Sequence, residues 1–301
     1  MELLKQLTDI QSLSGNETAM RDFLISYFEK NSHYFDQKPK IYSGDRMQDC
    51  IAIAFGKPRT AVFAHMDTVG FMVKYGKELI EIGSPEAKDG HILTGKDEKG
   101  DIECTLKINK TLEYAFNRKL ERGTELRFKP DLRLEGDYIT SPHLDNRLGL
   151  WVSLKLAETL KNGLLVYTCG EEHYGGSALK MARLMYKKFK ITKTLICDIT
   201  WITKGVKHGK GVALSMRDVT IPRRKYFNQI LEIAKKSKIP YQIEVEDSGG
   251  SDGSELQRSA YPIDWCFVGA AESNVHSPDE TVHKDDLHAM LDMYKLLMEE
   301  L

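Results

Sequence analysis

The sequence predicts an α/β protein: a mixed sheet with helices on both faces, and an inserted small all-β, barrel-like domain. Three observations predict it. Short apolar runs, partly β-branched and bounded by Gly, Pro or charge, recur along the 301 residues, as in "DCIAIAF" at 49–55, "TAVFAHMD" at 60–67, "LLVYTC" at 164–169 and "TLICDI" at 194–199. Such runs suit strands buried on both faces. Helical patterns alternate with them, which is the rhythm of α/β architecture. Between 71 and 141 the texture changes to brief strand-like pieces separated by Gly, Lys and Asp turns, the pattern of a small barrel or sandwich. Residues 1–70 and 142–301 therefore form the α/β domain, and 71–141 the insertion.

Taken in order, two helices open the chain. The first, "MELLKQLTDIQSLSG", is amphipathic. The second starts near "SGNE" at 14–17, where Ser14 or Asn16 can cap and Glu17 favours a helix N-terminus. The strands at 49–55 and 60–67 follow. The inserted pieces are "FMVKYG", "ELIEIG", "HILTG", "DIECTLKI", "ELRFKP" and "DYITSP"; only "TLEYAFNRKL" hints at a helix. Then come a helix at about 148–160, the strand "LLVYTC", a helix at about 176–188 and the strand "TLICDI". A helix near 223–236, the strand "YQIEVED", a short helix near 253–259, the strand "IDWCFVG" and a helix at about 283–300 complete the pattern.

Composition narrows the function. Hydrophobic residues make up 41% and charged residues 29%, enough for a packed core and against disorder. The 43 basic and 44 acidic residues leave a net charge of -1, so neither nucleic acid nor an acidic membrane is an expected partner. "PRRK" at 222–225 reads as solvated surface. The five cysteines (Cys50, Cys104, Cys169, Cys197 and Cys266) are odd in number and lack a CxxC pair, which suits reduced thiols in a cytoplasmic protein. The first residues lack the basic start and continuous apolar core of a signal peptide. No apolar run approaches the ~20 residues that cross a bilayer.

The ends of the apolar runs carry the chemistry. "AVFAHMD" ends in His65 and Asp67, and "SPHLDNR" places Asp145 just before a helix. "LLVYTCGEE" ends in the adjacent acids Glu171 and Glu172, "TLICD" in Asp198, and "ESNVHSPDE" carries His276 after a strand. Open α/β sheets place ligands outside the carboxyl ends of their strands, so these segments can converge on one edge. Two imidazoles and three carboxylates suit two divalent ions of the zinc type. Two side-by-side acids cost free energy unless a cation compensates them. One glutamate would then bind metal while the other serves as general base. An HxD pair, two surface acids or an Asp before a helix is unremarkable alone; joint placement at strand ends gives the pattern its weight.

At these residues the sequence resembles the cytosolic di-zinc aminopeptidases of the glutamyl and tetrahedral type, the deblocking aminopeptidase-like metallopeptidases. "SGNE", "AHMDTVGF", "LDNRLG", "GEEHYGG", "CDIT", "GKGVALSMRD", "GGSDGSELQ" and "HSPDE" occur in the family's order over nearly the whole chain. The resemblance implies a phosphorylase/hydrolase-like catalytic domain, an inserted β dimerisation domain, and two divalent ions, zinc with cobalt or manganese as alternatives. By position it makes His65 and Asp198 ligands of the first metal, with Asp67 orienting His65. Asp145 would bridge the metals, Glu172 and His276 would bind the second, and Glu171 would be the general base. "GGSDGSEL" at 249–256 would contribute to the substrate pocket. His143 and His173 depart from the family pattern and are read as packing or capping groups. The stretch after Asp198, with Trp201, is also atypical.

The expected activity is removal of N-terminal residues from short peptides by a homodimer or larger homo-oligomer. Two rivals remain open. A carboxypeptidase or N-acyl amino acid deacylase would use the same metals but need a basic group for the substrate carboxylate. A catalytically silent scaffold would keep the fold without the chemistry.

Overall fold

The computed structural model describes residues 1–301. Helices α1 (Glu2–Asp9) and α2 (Thr18–Lys30) precede strands β1 (Lys40–Tyr42), β2 (Ile51–Phe55) and β3 (Thr60–His65). Next come β4 (Gly70–Val73), β5 (Leu79–Ile82), β6 (Ile92–Asp97), β7 (Gly100–Ile108), β8 (Leu112–Ala115) and β9 (Glu125–Phe128). After β10 (Arg133–Glu135) and β11 (Tyr138–Thr140) lie α3 (Leu144–Ala157), β12 (Gly163–Thr168), α4 (Ser177–Leu184) and β13 (Lys193–Trp201). The chain continues through β14 (Val212–Arg217), α5 (Arg224–Lys236), β15 (Tyr241–Val245), α6 (Asp252–Arg258), β16 (Asp264–Ser273), β17 (Thr281–His283) and α7 (Lys284–Glu300).

The large sheet runs β1-β2-β12-β3-β13-β16-β17-β11-β10, with β14 joined to β16 and β15 to β14. Its centre, β12-β3-β13-β16, is parallel. Period-two alternation explains how these strands are buried on both sides. Ile51, Ile53, Val62, Leu165, Leu195, Cys197, Cys266 and Val268 face a core built with α1, α2, α3, α5 and α7. Ala52, Phe63, Leu164, Val166, Ile196, Trp265 and Phe267 face the opposite core, closed by α4 and α6. Helices thus cover both faces, as the sequence predicts.

The second sheet, β5-β4-β9-β6-β7-β8, wraps around Phe71, Leu93, Leu106, Tyr114, Leu126 and Phe128. A bridge between Glu78 and Glu113 brings its two ends together, so it is close to a closed barrel. Closure removes the unpaired strand edges that an isolated small sheet would expose.

Three local expectations are corrected. The helix hint at "TLEYAFNRKL" is the strand β8, where Tyr114 turns inward and Thr105 of β7 pairs with Ala115. Residues 133–135 and 138–140, grouped by sequence with the insertion, pair instead through β17 at the edge of the large sheet. Neither Ser14 nor Asn16 caps α2; Glu17 stands at the cap position and makes no capping bond. The cysteines form no disulfide. No helix is long and apolar enough to cross a membrane.

Candidate metal centre

β3 and β12 lie side by side in parallel, with His65 opposite Thr168 at their carboxyl ends. The turn after Thr168 delivers Glu171 and Glu172, and β13 delivers Asp198. Asp145 stands at the start of α3, where it and Asn146 have non-helical backbone angles before the regular helix begins. His276 follows β16. The strand-end residues that the sequence scatters therefore meet at one edge of one sheet.

Their distances divide them into two donor groups with one shared member. His65 Nε2 lies 3.1 Å from Asp145 Oδ1 and 3.6 Å from Asp198 Oδ1. His276 Nε2 lies 2.9 Å from Glu172 Oε2 and 3.4 Å from Asp145 Oδ2. In each triad, His65-Asp145-Asp198 and Asp145-Glu172-His276, the donor atoms lie within 4.8 Å of one another. Asp145 thus offers one oxygen to each side. Glu171 stands beside the first triad, its Oε2 4.0 Å from His65 Nε2. Glu172 Oε1 is buried with no hydrogen-bond partner. An orphaned buried carboxylate oxygen, two imidazoles and shared oxygen donors fit a pair of divalent ions of the zinc class.

The supporting contacts are equally specific. Asp67 is fully buried, accepts from Ser14 Oγ at 2.6 Å, and accepts the backbone N–H groups of Glu171 and Glu172 at 3.1 and 3.0 Å. Its Oδ1 is 3.5 Å from His65 Nδ1. Glu280 spans the other side, accepting the N–H of Asp145 at 3.2 Å and of His276 at 2.8 Å. His276 has a φ of 65°, in the left-handed region that residues with a Cβ rarely adopt. Glu280 and a contact of 3.1 Å from His276 Nδ1 to Ser84 Oγ hold it there. Ser84 follows β5, so the inserted sheet also helps position the site.

The electrostatics have one cause. Burial pushes the Glu171 carboxyl well above its ordinary range, with Asp198 and Glu172 adding to the shift. Burial likewise raises Glu172, to about 7, with Asp145 adding and His276 opposing. Burial acts to lower both imidazoles, but carboxylates outweigh it: Asp198 and Asp145 raise His65, and Asp145 and Glu172 raise His276 to about 12. Asp145, where burial is outweighed by His276 and His65, is held below the ordinary carboxylate range, whereas Glu171, Glu172, Asp198 and both imidazoles are drawn toward their protonated forms. That is the condition of a site with excess negative charge, which protons or metal cations relieve.

His143 and His173 lie outside both triads. The His143 ring is buried 3.3 Å from the Phe128 carbonyl and stacks on the Phe128 ring. His173 Nδ1 accepts the Gly83 N–H at 3.0 Å, tying the turn to the inserted sheet. Sequence reasoning missed the positioning groups Ser14, Ser84 and Glu280. Ser14 and Glu280 stand in the motifs "SGNE" and "HSPDE", but their partners lie far along the chain; nothing marks Ser84.

The centre opens into a cavity of about 480 Å³. It extends past the ends of β13, β14 and β15 to the turn before α6, where "GGSDGSEL" lies, and Arg258 is the single guanidinium lining it.

The sequence profile of M42 glutamyl aminopeptidase matches residues 86–293. The chain is 27% identical over 334 residues to a putative aminopeptidase of Acetivibrio thermocellus, covering 99% of this chain and 97% of that one. An aminopeptidase from the archaeon Desulfurococcus kamchatkensis has the same fold, with a TM-score of 0.87 at 21% identity over 100% of this chain and 94% of that one. So has the TET1 peptidase of Pyrococcus horikoshii, described as able to assemble into a tetrahedron or a large octahedral shell, with a TM-score of 0.82 at 22% identity over 100% and 99% of the two chains.

Proposed function

The chain belongs to the M42 glutamyl aminopeptidase family, and from that premise we propose that it is a two-metal aminopeptidase acting on short peptides. The observation that carries this reading is the pair of donor triads sharing Asp145, with Glu171 beside them. His65, Asp145 and Asp198 hold one divalent ion; Asp145, Glu172 and His276 hold the other. Zinc suits these donors, with cobalt or manganese as alternatives. Bound ions would supply Lewis acidity for the scissile carbonyl and for the attacking water. Asp67 fixes His65 and the backbone carrying both glutamates. Glu171 takes the water proton at its carboxylate and returns it to the leaving amine.

The acidic cavity, with Arg258 as its one guanidinium, favours a substrate amine over a substrate carboxylate. That supports the aminopeptidase reading over a carboxypeptidase or deacylase. Within 71–141, the barrel-like sheet of β4–β9 serves as a dimerisation domain in a cytoplasmic homodimer or larger homo-oligomer. Its exposed Ile80, Ile92 and Ile108 offer apolar contact surface, and the TET1 peptidase provides a precedent for large assemblies.

The test uses matched peptides with free and acetylated N-termini, and with free and amidated C-termini, on zinc- or cobalt-loaded protein. Acetylation should remove most turnover and amidation should matter little. The reverse pattern favours the carboxypeptidase or deacylase reading. No turnover with two ions bound favours the silent scaffold. A monomer by light scattering at micromolar concentration would refute the assembly.

A further inference from the structure

Beyond the metal centre, the cavity contains a buried carboxylate with no cation. Glu244, on β15, is 4% exposed and lines the cavity. Its Oε1 accepts the Thr200 hydroxyl, and no Lys, Arg or His acts on the carboxylate. Its register partner on β14 is Ser215, whose buried hydroxyl stands against the carboxylate. Burial raises the Glu244 carboxyl above its ordinary range; the Ser215 and Thr200 hydroxyls oppose the shift, and the neighbouring carboxyls of Asp218 and Glu246 add to it. Buried carboxylates normally have a cationic partner, because desolvating an unpaired charge is costly. Asp218 and Glu246 also line the cavity, and their side chains are bonded by the hydroxyls of Thr220 and Thr203.

The position gives this group a role. Asp198 and Thr200 share one face of β13, two residues apart, which is about 7 Å along a strand. Glu244 is bonded to Thr200, so it lies just beyond Asp198 on the same wall of the cavity. A four-carbon stem and its ammonium cover that separation. Phe267 lines the cavity on the same side and gives the stem an apolar wall.

We propose that Glu244, supported by Asp218 and Glu246, receives the ammonium or guanidinium of the substrate's N-terminal side chain, making the enzyme selective for N-terminal Lys and Arg. This rests on the aminopeptidase reading and adds the substrate class. An N-terminal glutamate would meet like charge in the same place.

The test compares aminoacyl p-nitroanilides of Lys, Arg, Leu and Glu on the metal-loaded full chain. Lys and Arg should exceed Leu in kcat/KM by about tenfold or more, because the buried acceptor is unpaired without them, and Glu should be poorest. Glu244→Gln should lower the Lys-to-Leu ratio by about tenfold, mainly through KM. If that variant misfolds, hydroxamates of lysine and norleucine, which share a stem and differ in the terminal ammonium, report on the unaltered protein. The lysine compound should inhibit Leu hydrolysis about tenfold more strongly. Equal inhibition, or Leu cleaved as well as Lys, overturns this inference alone. So would a third ion per chain that disappears in Glu244→Gln, because the cluster would then be a metal site. No cleavage of any substrate with a free N-terminus overturns the aminopeptidase reading and this inference with it.

Discussion

Asp67 holds Glu172 by its backbone, accepting the Glu172 N–H at 3.0 Å on one carboxylate oxygen while the other accepts the Glu171 N–H at 3.1 Å. The same carboxylate is fully buried and stands 3.5 Å from His65 Nδ1. One side chain therefore fixes the backbone of both glutamates and flanks the His65 ring, whose Nδ1 also lies 3.2 Å from the Asp67 backbone carbonyl. Asp67→Asn puts an amide NH₂ where one oxygen accepts, so a donor meets a donor and the turn shifts. Metal affinity or turnover should fall about 10–100-fold, the usual cost of removing such a support. Titration calorimetry with zinc and steady-state kinetics measure both. Unchanged affinity and rate would mean that Asp67 is only a folding residue.

The adjacent glutamates should fail differently. Glu172 Oε2 lies 2.9 Å from His276 Nε2 inside the second triad, whereas Glu171 lies beside the first. Glu171→Gln keeps the shape but cannot take a proton at neutral pH. It should retain both ions and lose about 10²–10⁴-fold in turnover. Glu172→Gln replaces an anionic donor with a neutral one, so it should lose or weaken one ion and regain activity in excess metal. Elemental analysis of both purified variants decides. Retention of both ions by Glu172→Gln and loss by Glu171→Gln would exchange the two roles. Neither change affecting turnover would leave the pair as solvated charge.

What was legible in the sequence follows from the range of each interaction. Strands β2, β3, β12, β13 and β16 show as apolar runs because both faces are buried, and their ends carry His65, Asp198 and the glutamates. "TLEYAFNRKL" misleads because its apolar residues recur at spacings compatible with a helix, while its pairing with β7 is tertiary. β10 and β11 belong to the large sheet only because β17, more than a hundred residues later, pairs with β11. Ser14 looks like a helix cap until Asp67, 53 residues on, takes its hydroxyl. Glu244 looks like surface charge on an edge strand; only the fold buries it.

Packing between α3 and β13 gives a stability prediction. Gly149 lies on α3 where a Cβ would collide with the Cys197 carbonyl and with Asn146 Oδ1. Asn146 in turn donates to the Cys197 carbonyl at 2.9 Å and accepts the Gly149 N–H at 2.9 Å. Gly149→Ala must push the helix from the strand, at a cost of about 1–3 kcal/mol. Because Asn146 adjoins Asp145 and Cys197 adjoins Asp198, metal affinity should fall as well. Denaturant melts and zinc titration test both. Wild-type stability with wild-type affinity would show that the contact relaxes freely.

Glu17, outside both donor triads but bonded to the turn that carries the glutamates, gives a pH prediction. Its side chain is 3% exposed, and Oε1 accepts the N–H groups of Gly15 and Gly170 at 2.9 Å each. Burial raises its carboxyl to about 7; the two backbone bonds oppose the shift without cancelling it. The unfolded value is about 4.3. A folded pKa above the unfolded one means that the native state binds the proton more tightly. The stabilising contribution is therefore complete below about pH 4 and is lost as pH rises to about 7. Glu17→Gln keeps an oxygen to accept both N–H groups and removes the titration. In chelator-treated protein, the variant should gain on the wild type as pH rises from 5 to 8, by on the order of 2 kcal/mol. Urea unfolding across that range measures the difference. A gap that stays constant with pH would place the Glu17 pKa near its unfolded value, and a gap that narrows would reverse the sign of the linkage.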